Sequence, residues 1–390
     1  MRVLQLHTPY RIAGGEDRVV MLEAEALRAA GHEVHQHVVP NPTKVAPTLG
    51  LLAQSPYNAG AARAAVERAR AVDAEITHVH NTWFALSPSV PAALSRAGLP
   101  VVTTMHNYRA LCISGTLFRD GHECTQCLGG RVLPGIVHGC YENRGLSVVA
   151  SATQRMHRKL ETWTEHTDMV IVPSETSRRI FVADGFDPDR LVVKDNFTGD
   201  PGPRPAPPSQ SRTLLFVGRL RPEKGIGLLL EAWAASRHDG LELVVVGEDP
   251  HRAQLQASAP PGVTFTGALP SSEVAAAMQR ARALVFPSVW QEPFGLTLVE
   301  AMAAGLPVVG FDVADTARIA GGGGLLVAPG DVPALACALD QLGDATVDRL
   351  GSAGRRRYEE HFGPAAQAPA LEAVYGRALD VRQRRTAAPS

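Results

Sequence analysis

The stretch 286–310 constrains the fold more than any other part of the sequence. It contains the apolar end of a strand, a proline-flanked acidic loop, a helical pattern over 296–304 and a second apolar strand. Gly305 and Pro307 end the helix, because glycine suits the left-handed cap and proline lacks the amide hydrogen that another helical turn needs. This stretch therefore reads as one strand, loop, helix and strand unit of an α/β sheet.

Two carboxylates flank the start of this helix. Glu292 lies in the loop, and Glu300 lies within the helix. Between them are the amide groups of Phe294, Gly295 and Leu296, which carry the positive end of the helix dipole. We predict a cradle for an anion between two hydroxyl-binding carboxylates, which is the layout that a nucleotide diphosphate-sugar requires.

Short apolar strands alternate with helical patterns along the rest of the chain. In the first half the predicted strands are 3–6, 33–39, 76–80, 101–105 and 169–172, and the second half repeats this alternation from 213 onward. Alternating strands and helices predict parallel, doubly wound sheets. At 390 residues, the chain also exceeds the length at which one hydrophobic core keeps growing, so we predict two domains.

The division between the domains is predicted at the segment 199–212, which is dense in proline and has no hydrophobic periodicity. We interpret it as an extended linker. The first predicted domain is 1–198 and the second is 213–364. The helix 365–385 is expected to return to the first domain.

Composition narrows the class of partner. The net charge is −1, with 45% hydrophobic and 20% charged residues, so no electrostatic case for nucleic acid arises. No apolar run approaches the ~20 residues of a membrane span, and a cytoplasmic location is expected. The basic segment 154–163 either forms a solvated helix face or docks on anionic lipid at the inner membrane face.

The loop that begins at Gly218 carries the strongest cluster of positive charge. Arg219 and Lys224 lie five residues apart between a predicted strand and a predicted helix. Such cations either clamp a diphosphate or are ordinary surface charges of a solvated loop. The acidic motif at another strand end of the same sheet favours the diphosphate clamp.

Polar residues also follow the strands of the first domain. His80 and His106 each precede an asparagine at a strand end, where ligands of parallel sheets collect. Each histidine is either structural or part of a ligand site. Gly14 and Gly15 form a glycine turn after the first strand, which is either a tight turn only or a place where phosphate or sugar approaches the backbone.

Three segments of the second half, 216–225, 292–300 and 303–309, resemble the donor domain of retaining glycosyltransferases of family four, and the two glutamates match the Glu-x7-Glu signature of that family. Segments 14–17, 78–81 and 104–108 resemble the acceptor domain of its branch with an N-terminal Gly-Gly-Glu-Asp turn, which acts in polysaccharide or natural-product biosynthesis. The resemblance implies the GT-B fold, with two Rossmann-like domains and an interdomain cleft.

The resemblance also implies a role for each site residue. Arg219 and Lys224 would hold the diphosphate, Glu292 the hydroxyls of the transferred sugar, and Glu300 the ribose. Gly15 would contact the phosphate from the acceptor side, and His106 would contact the sugar near the reacting carbon. The donor would be a UDP- or GDP-sugar, the acceptor a hydroxyl compound, and the configuration at the anomeric carbon would be retained.

No catalytic metal is expected. Asp187 and Asp189 imitate the metal-binding Asp-x-Asp of another glycosyltransferase fold, but the proline between them favours a plain turn.

Four cysteines, Cys112, Cys124, Cys127 and Cys140, cluster in a glycine-rich loop. The pair at 124 and 127 has the Cys-x2-Cys spacing that suits tetrahedral zinc, and the outer two could complete four thiolate ligands. The second Cys-x2-Cys pair of many zinc sites is absent, so free thiols and a disulfide stay open beside a structural zinc.

The sequence thus predicts a retaining hexosyl- or glycosyltransferase. Two alternatives stay open: a nucleotide-sugar epimerase or hydrolase on the same fold, and a non-catalytic nucleotide-sugar binding protein. The presence of all four charged residues, Arg219, Lys224, Glu292 and Glu300, speaks against a decayed site.

Overall fold

The computed structural model describes residues 1–10, 14–41, 54–238 and 240–387, and it divides into two compact units. Unit 1 comprises Met1–Leu117, Cys124–Asn196 and Pro364–Ser390. Unit 2 comprises Phe118–Glu123 and Phe197–Gly363. The main break after Asn196 lies beside the boundary that the proline-rich segment predicts.

Unit 1 is built on a six-stranded parallel sheet with the strand order β2-β1-β3-β4-β7-β8. Numbered through the whole chain, its strands are β1 (Arg2–His7), β2 (Glu33–Val38), β3 (Ile76–Val79), β4 (Val101–Thr104), β7 (Met169–Val172) and β8 (Leu191–Val193). The short strands β5 (Phe118–Arg119) and β6 (His122–Glu123) form a separate antiparallel hairpin, which belongs to unit 2.

Helices follow the strands of unit 1. They are α1 (Gly15–Ala29), α2 (Ala59–Ala71), α3 (Ser89–Arg96), α4 (Leu133–Val137), α5 (Arg144–Lys159), α6 (Glu175–Ala183) and the C-terminal α14 (Pro364–Ala387). Asn58, Asn143 and Ser174 begin α2, α5 and α6, and each side chain accepts a hydrogen bond from an amide of the first turn. Such caps satisfy amides that have no partner within the helix.

The core of unit 1 lies on both faces of its sheet. Successive side chains of a strand point to opposite faces, so Val3 of β1 packs with one cluster and Leu4 with another. The cluster of Val3 includes Leu371 and Tyr375 from α14. The C-terminal helix therefore completes a core that begins in the first strand.

Unit 2 has a second six-stranded parallel sheet, with the order β11-β10-β9-β12-β13-β14. Its strands are β9 (Thr213–Val217), β10 (Glu242–Val246), β11 (Val263–Gly267), β12 (Ala283–Phe286), β13 (Val308–Phe311) and β14 (Gly324–Val327). Two doubly wound parallel sheets confirm the predicted fold class.

Helices cover both faces of this sheet as well. They are α7 (Ile226–Ala235), α8 (Arg252–Ala257), α9 (Ser271–Arg280), α10 (Leu296–Ala303), α11 (Thr316–Ala320), α12 (Val332–Asp340) and α13 (Asp344–His361). Leu214 and Phe216 of β9 pack with α7 and α12, whereas Leu215 packs with α10 on the opposite face. Among the helices of the described ranges, none is long and apolar enough to cross a bilayer.

The proline-rich segment is held against unit 2 by its polar groups. The Arg204 guanidinium donates to the carbonyl oxygens of Met278, Ala281 and Ala304 at 3.2, 2.7 and 3.1 Å. Asp200 forms an ion pair with Arg355 at 2.7 Å. These contacts do not follow from the proline pattern, which predicts only an extended chain.

Candidate active site

The site in unit 2 lies at the carboxyl ends of two adjacent strands. Because β9 and β12 are paired, the loop before α7 and the loop before α10 leave the same edge of the sheet. Lys224 comes from the first loop and Glu292 from the second. The Lys224 Nζ donates to Glu292 Oε2 at 2.5 Å, and both side chains are largely buried, with 18% and 11% exposed.

A glycine lets these two loops approach each other closely. Gly225 has φ of 70°, and a Cβ at this position would come within 1.8 Å of the Pro287 carbonyl oxygen. Any other residue would therefore push the loops apart. The amide of Val289 donates to the Glu223 carbonyl at 3.0 Å, which joins the two backbones beside the ion pair.

Glu292 is oriented by three donors on a single oxygen. Besides Lys224, its Oε2 accepts hydrogen bonds from Trp290 Nε1 at 2.8 Å and from Ser288 Oγ at 3.2 Å. The Lys224 ammonium also lies 5.1 Å from the centroid of the Trp290 ring, within the range of a cation–π interaction. Within the described part of the chain, no group hydrogen-bonds to Oε1, so this oxygen is available to a ligand.

Arg219 is the second cation of the same loop. Its side chain is 63% exposed, and its Nη2 lies 3.9 Å from Glu223 Oε1, which is at the limit of an ion pair. The preceding Gly218 is fixed, because its amide donates to the Val246 carbonyl at 3.0 Å. A fixed backbone with an exposed guanidinium suits capture of an anionic group.

The predicted anion cradle lies at the start of α10. Gly295 adopts the left-handed conformation, with φ of 80°, and caps the helix that begins at Leu296. The first amides of a helix lack carbonyl partners within it, so those near Phe294, Gly295 and Leu296 form a positive end. Glu300 lies further along the same helix and is partly buried. Every predicted donor residue except Gly14 and Gly15 belongs to unit 2.

Gly14 and Gly15 lie in unit 1, at the start of α1. The Gly14 amide donates to Asp17 Oδ2 at 2.8 Å, and Asp17 Oδ1 lies 2.7 Å from His7 Nε2. Residues 11–13 of the predicted glycine turn lie outside the described residues. A Cβ at Gly14 would meet no atom of the described residues within 4 Å.

His106 follows β4 and contacts His80, which follows β3. Their Nε2 and Nδ1 atoms lie 3.1 Å apart, and the rings stack with centroids 5.4 Å apart. Burial holds the pKa of both histidines well below the ordinary value, and neighbouring positive charge acts in the same direction. Both rings are therefore neutral at physiological pH.

A buried ion pair lies behind these histidines. Lys194 Nζ donates to Glu23 Oε1 at 2.9 Å, and Glu23 Oε2 lies 3.7 Å from His80 Nε2. His78 is bonded at both nitrogens, to Tyr375 at 2.9 Å and to Thr104 at 2.8 Å. Burial lowers the pKa of His78 to about 4.

A cavity of about 70 Å³ opens in front of His106 within unit 1. Several of its lining side chains have buried polar atoms that make no hydrogen bond in the described part of the chain: Glu16 Oε2, His106 Nδ1, Arg109 Nε and Gln154 Oε1. Buried polar atoms are normally paired, so four such atoms around one cavity indicate a binding site for a polar ligand. Trp83 and Trp163 supply apolar walls.

None of the five cysteines, all of which are described residues, forms a disulfide. Cys112 Sγ lies 3.1 Å from Ser114 Oγ, and the Cys124 amide donates to the Leu117 carbonyl at 2.8 Å. Burial raises the pKa of the Cys127 thiol to about 11, and Cys112, Cys140 and Cys124 add to this effect. Among the described residues, only Glu23, His78 and His80 bring three potential ligand atoms within 4.8 Å of one another.

Sequence reasoning missed two residues of these sites. Trp290 orients Glu292, but nothing in the motif distinguishes it from a core aromatic residue. Glu23 carries a detectable signal, because the spacing of Val19, Glu23 and Leu27 places a carboxylate on the apolar face of a helix. A charged residue on such a face is rarely unpaired.

Both units of the chain match known protein families. Residues 13–197 match the model of Glycosyltransferase Family 4, and residues 211–344 match the model of Glycosyl transferases group 1. The chain is 28% identical over 379 residues to the phosphatidyl-myo-inositol mannosyltransferase of Mycobacterium leprae, covering 90% of each chain.

Solved structures share the same architecture. The sucrose-phosphate synthase of Thermosynechococcus elongatus superposes with a TM-score of 0.70 at 22% identity, over 99% of this chain and 100% of the other. Anabaena HepE in complex with UDP-glucose gives a TM-score of 0.68 at 17% identity, over 96% and 99% of the two chains. Given these matches and its two parallel-sheet units, the chain is a family-four glycosyltransferase with the GT-B fold.

Proposed function

We propose that this glycosyltransferase transfers a sugar from a nucleotide diphosphate-sugar to a hydroxyl acceptor with retention of configuration. One observation carries the proposal: Lys224 and Glu292 pair at 2.5 Å at the ends of adjacent strands, with the exposed Arg219 on the same loop. A diphosphate needs the two cations, and a sugar needs the carboxylate.

Each donor residue has a role that its position supports. Lys224 and Arg219 bind the diphosphate, and the amides at the start of α10 add a helix dipole behind it. Glu292 accepts hydrogen bonds from the hydroxyls of the transferred sugar through Oε1, while its Oε2 stays bound to Lys224. Glu300, further along α10, binds the ribose hydroxyls.

UDP is the carrier that we propose. Anabaena HepE, which shares the fold, has been solved with UDP-glucose and with UDP. GDP makes the same kind of phosphate and ribose contacts, so it is the comparison nucleotide in the experiment below.

The reaction requires no protein base. The bond from the anomeric carbon to the phosphate oxygen breaks, and the bond to the acceptor oxygen forms on the same face of the sugar. The acceptor proton passes to the leaving phosphate oxygen. Catalysis then consists of positioning and of stabilising the charge on the departing phosphate, for which Lys224 and Arg219 are placed. The acceptor binds in unit 1, in the cavity that His106 lines.

A thermal-shift experiment tests donor binding. UDP or a UDP-sugar at about a hundredfold its dissociation constant should stabilise the wild type by about 2.7 kcal/mol, and GDP should stabilise it less. Lys224→Ala and Glu300→Ala should each weaken binding or turnover at least about tenfold, on the scale of one charge-assisted contact.

Lys159→Ala is the matched control, because it removes an exposed lysine at the end of α5 and should leave binding unchanged. Wild-type turnover in both Lys224→Ala and Glu300→Ala would overturn the assignment. The anomeric configuration of the product reports retention, and donor loss without a glycosylated acceptor would indicate a hydrolase or epimerase.

A further inference from the structure

Two buried polar atoms face each other behind the cavity of unit 1. Glu23 Oε2 and His80 Nε2 form no hydrogen bond to a described residue and lie 3.7 Å apart, within the range of an ion pair but too far for a hydrogen bond. His78 Nδ1 lies 3.9 Å from the same oxygen, and the other oxygen, Oε1, accepts from the Lys194 ammonium. An N–H that points at a carboxylate oxygen is attracted to it, whereas a nitrogen lone pair is repelled, so the proton of His80 lies on Nε2.

The position of this proton determines which nitrogen of His106 is protonated. His80 is neutral, because burial and neighbouring positive charge hold its pKa well below the ordinary value. A neutral imidazole carries one proton, so His80 Nδ1 is an acceptor. The His106 Nε2 that lies 3.1 Å away must then be the donor.

The same argument fixes the far side of His106. This ring is also neutral, so with its proton on Nε2 its Nδ1 carries a lone pair. Nδ1 is one of the buried atoms of the cavity that lack a partner among the residues described. It can accept a hydrogen bond there and cannot donate one.

We propose that Glu23 and His80 are positioning residues that hold His106 in the tautomer with a bare Nδ1, so that it accepts a hydrogen bond from a substrate hydroxyl. The substrate role of Nδ1 rests on the proposed function, whereas the tautomer does not. The ligand class follows from this: the cavity presents acceptors at Gln154 Oε1 and His106 Nδ1 and a donor at Arg109 Nε, and it takes a group rich in hydroxyls, which both donate and accept.

A metal ion on Glu23, His78 and His80 is the rival interpretation. It would need a lone pair on His80 Nε2, which would reverse both tautomers. The Lys194 ammonium 2.9 Å from Glu23 opposes a second cation, and both nitrogens of His78 already have partners. The geometry therefore favours a proton on His80 Nε2 over a metal ion at these three residues.

Nitrogen-15 NMR of the histidine rings of the full-length protein tests the proposal. The signals of His106 are assigned from their loss in His106→Gln. In the wild type, His106 Nε2 should be protonated and Nδ1 should not. A protonated Nδ1 in the wild type would overturn the proposal, including when the cause is a metal on Glu23.

Glu23→Gln gives a sharper result. Lys194 can only donate, so the amide oxygen must keep the Oε1 position and the NH₂ must face His80. Both tautomers should then invert, and kcat should fall at least tenfold, while the thermal shift caused by UDP stays as in the wild type. An unchanged His106 tautomer in folded Glu23→Gln would contradict the relay, and the wild-type spectrum decides if this variant does not fold.

Glu33→Gln is the matched control. Glu33 lies 2.8 Å from His35 Nε2 on the edge strand β2, outside the relay. The same chemical change beside another histidine should leave the His106 signals and kcat unchanged. If the wild type does not bind UDP, the proposed donor is wrong, but the tautomer of His106 is unaffected. Failure of the proposed function and failure of the tautomer proposal are therefore distinguishable.

Discussion

The two carboxylate oxygens of Glu292 have different hydrogen-bond partners. Oε2 takes all three protein donors, and Oε1 takes none from the described chain. A carboxylate held in this way presents one oxygen in a fixed direction, and no ordering cost remains to be met when a sugar hydroxyl arrives. Sugar binding by Glu292 should therefore depend on the neighbours that orient its carboxylate as much as on its charge.

Trp290→Phe tests this dependence. Phenylalanine keeps an aromatic ring beside Lys224 but removes the Nε1 donor that lies 2.8 Å from Glu292. We expect kcat/KM to fall at least about tenfold, which corresponds to the lower end, about 1.5 kcal/mol, of the range for one hydrogen bond to a charged group. In Trp290→Leu, kcat/KM should fall further, because this change also removes the cation–π contact with Lys224.

Ser288→Ala is the comparison for this series, since it removes the longer bond of 3.2 Å to the same oxygen. Its effect should be smaller than that of Trp290→Phe. Steady-state kinetics at saturating acceptor, with melting temperatures as a check on folding, measures all three. Equal kcat/KM in Trp290→Phe and the wild type would show that the indole does not orient Glu292.

At the scale of single elements, the sequence predicts strands better than contacts. β7 (Met169–Val172) has the predicted bounds, because it is an unbroken apolar run between Asp168 and Pro173. The prediction for β3 runs one residue further than the strand itself, which ends at Val79. Periodicity locates the apolar run but not the residue at which the ladder of hydrogen bonds stops.

Other elements leave no sequence signal. Each strand of the hairpin β5–β6 has two residues, too few to show alternation. The approach of Lys224 to Glu292 joins positions 68 apart, and it depends on the order of β9 and β12 in the sheet and on the backbone at Gly225. Neither the order of strands in the sheet nor a contact between two backbone segments can be predicted from the local sequence.

The hairpin lies between the first cysteine and the Cys-x2-Cys pair, and we propose that Cys112, Cys124, Cys127 and Cys140 bind a structural zinc. Burial raises the pKa of the Cys127 thiol to about 11, and the neighbouring thiols add to this effect. A zinc ion would instead stabilise the thiolates, because its positive charge would lie beside them.

Elemental analysis of the purified protein should find one zinc per chain. Cys124→Ser should lose it and lower the melting temperature, because one thiolate of four is removed. Cys337→Ser is the control: this exposed cysteine belongs to α12 and should leave the metal content unchanged. Wild-type protein without zinc would end the proposal.

At the scale of the whole molecule, a buried hydrogen bond joins β3, in the first quarter of the chain, to the C-terminal helix α14. His78 Nδ1 and the Tyr375 hydroxyl lie 2.9 Å apart and are 297 positions apart in sequence. Both side chains are fully buried. The bond ties α14 to the sheet of unit 1 in addition to the apolar contacts of Leu371 and Val374.

Tyr375→Phe should destabilise unit 1 by about 1–3 kcal/mol, because it leaves a buried nitrogen of His78 without a partner. Tyr57→Phe, at a side chain that is 46% exposed, should change the free energy of unfolding far less. Urea unfolding followed by circular dichroism measures both. Equal midpoints for Tyr375→Phe and the wild type would show that water or another group replaces the hydroxyl.

The place of α14 has a consequence for synthesis on the ribosome. Unit 1 starts before unit 2 in the chain, yet Leu371, Val374 and Tyr375 of its core come from α14, which follows unit 2. The stretch that forms most of unit 2 is uninterrupted and is translated before α14. Most of unit 2 can therefore fold on the nascent chain before unit 1 is complete, and the early strands of unit 1 keep apolar surface exposed until α14 has been translated.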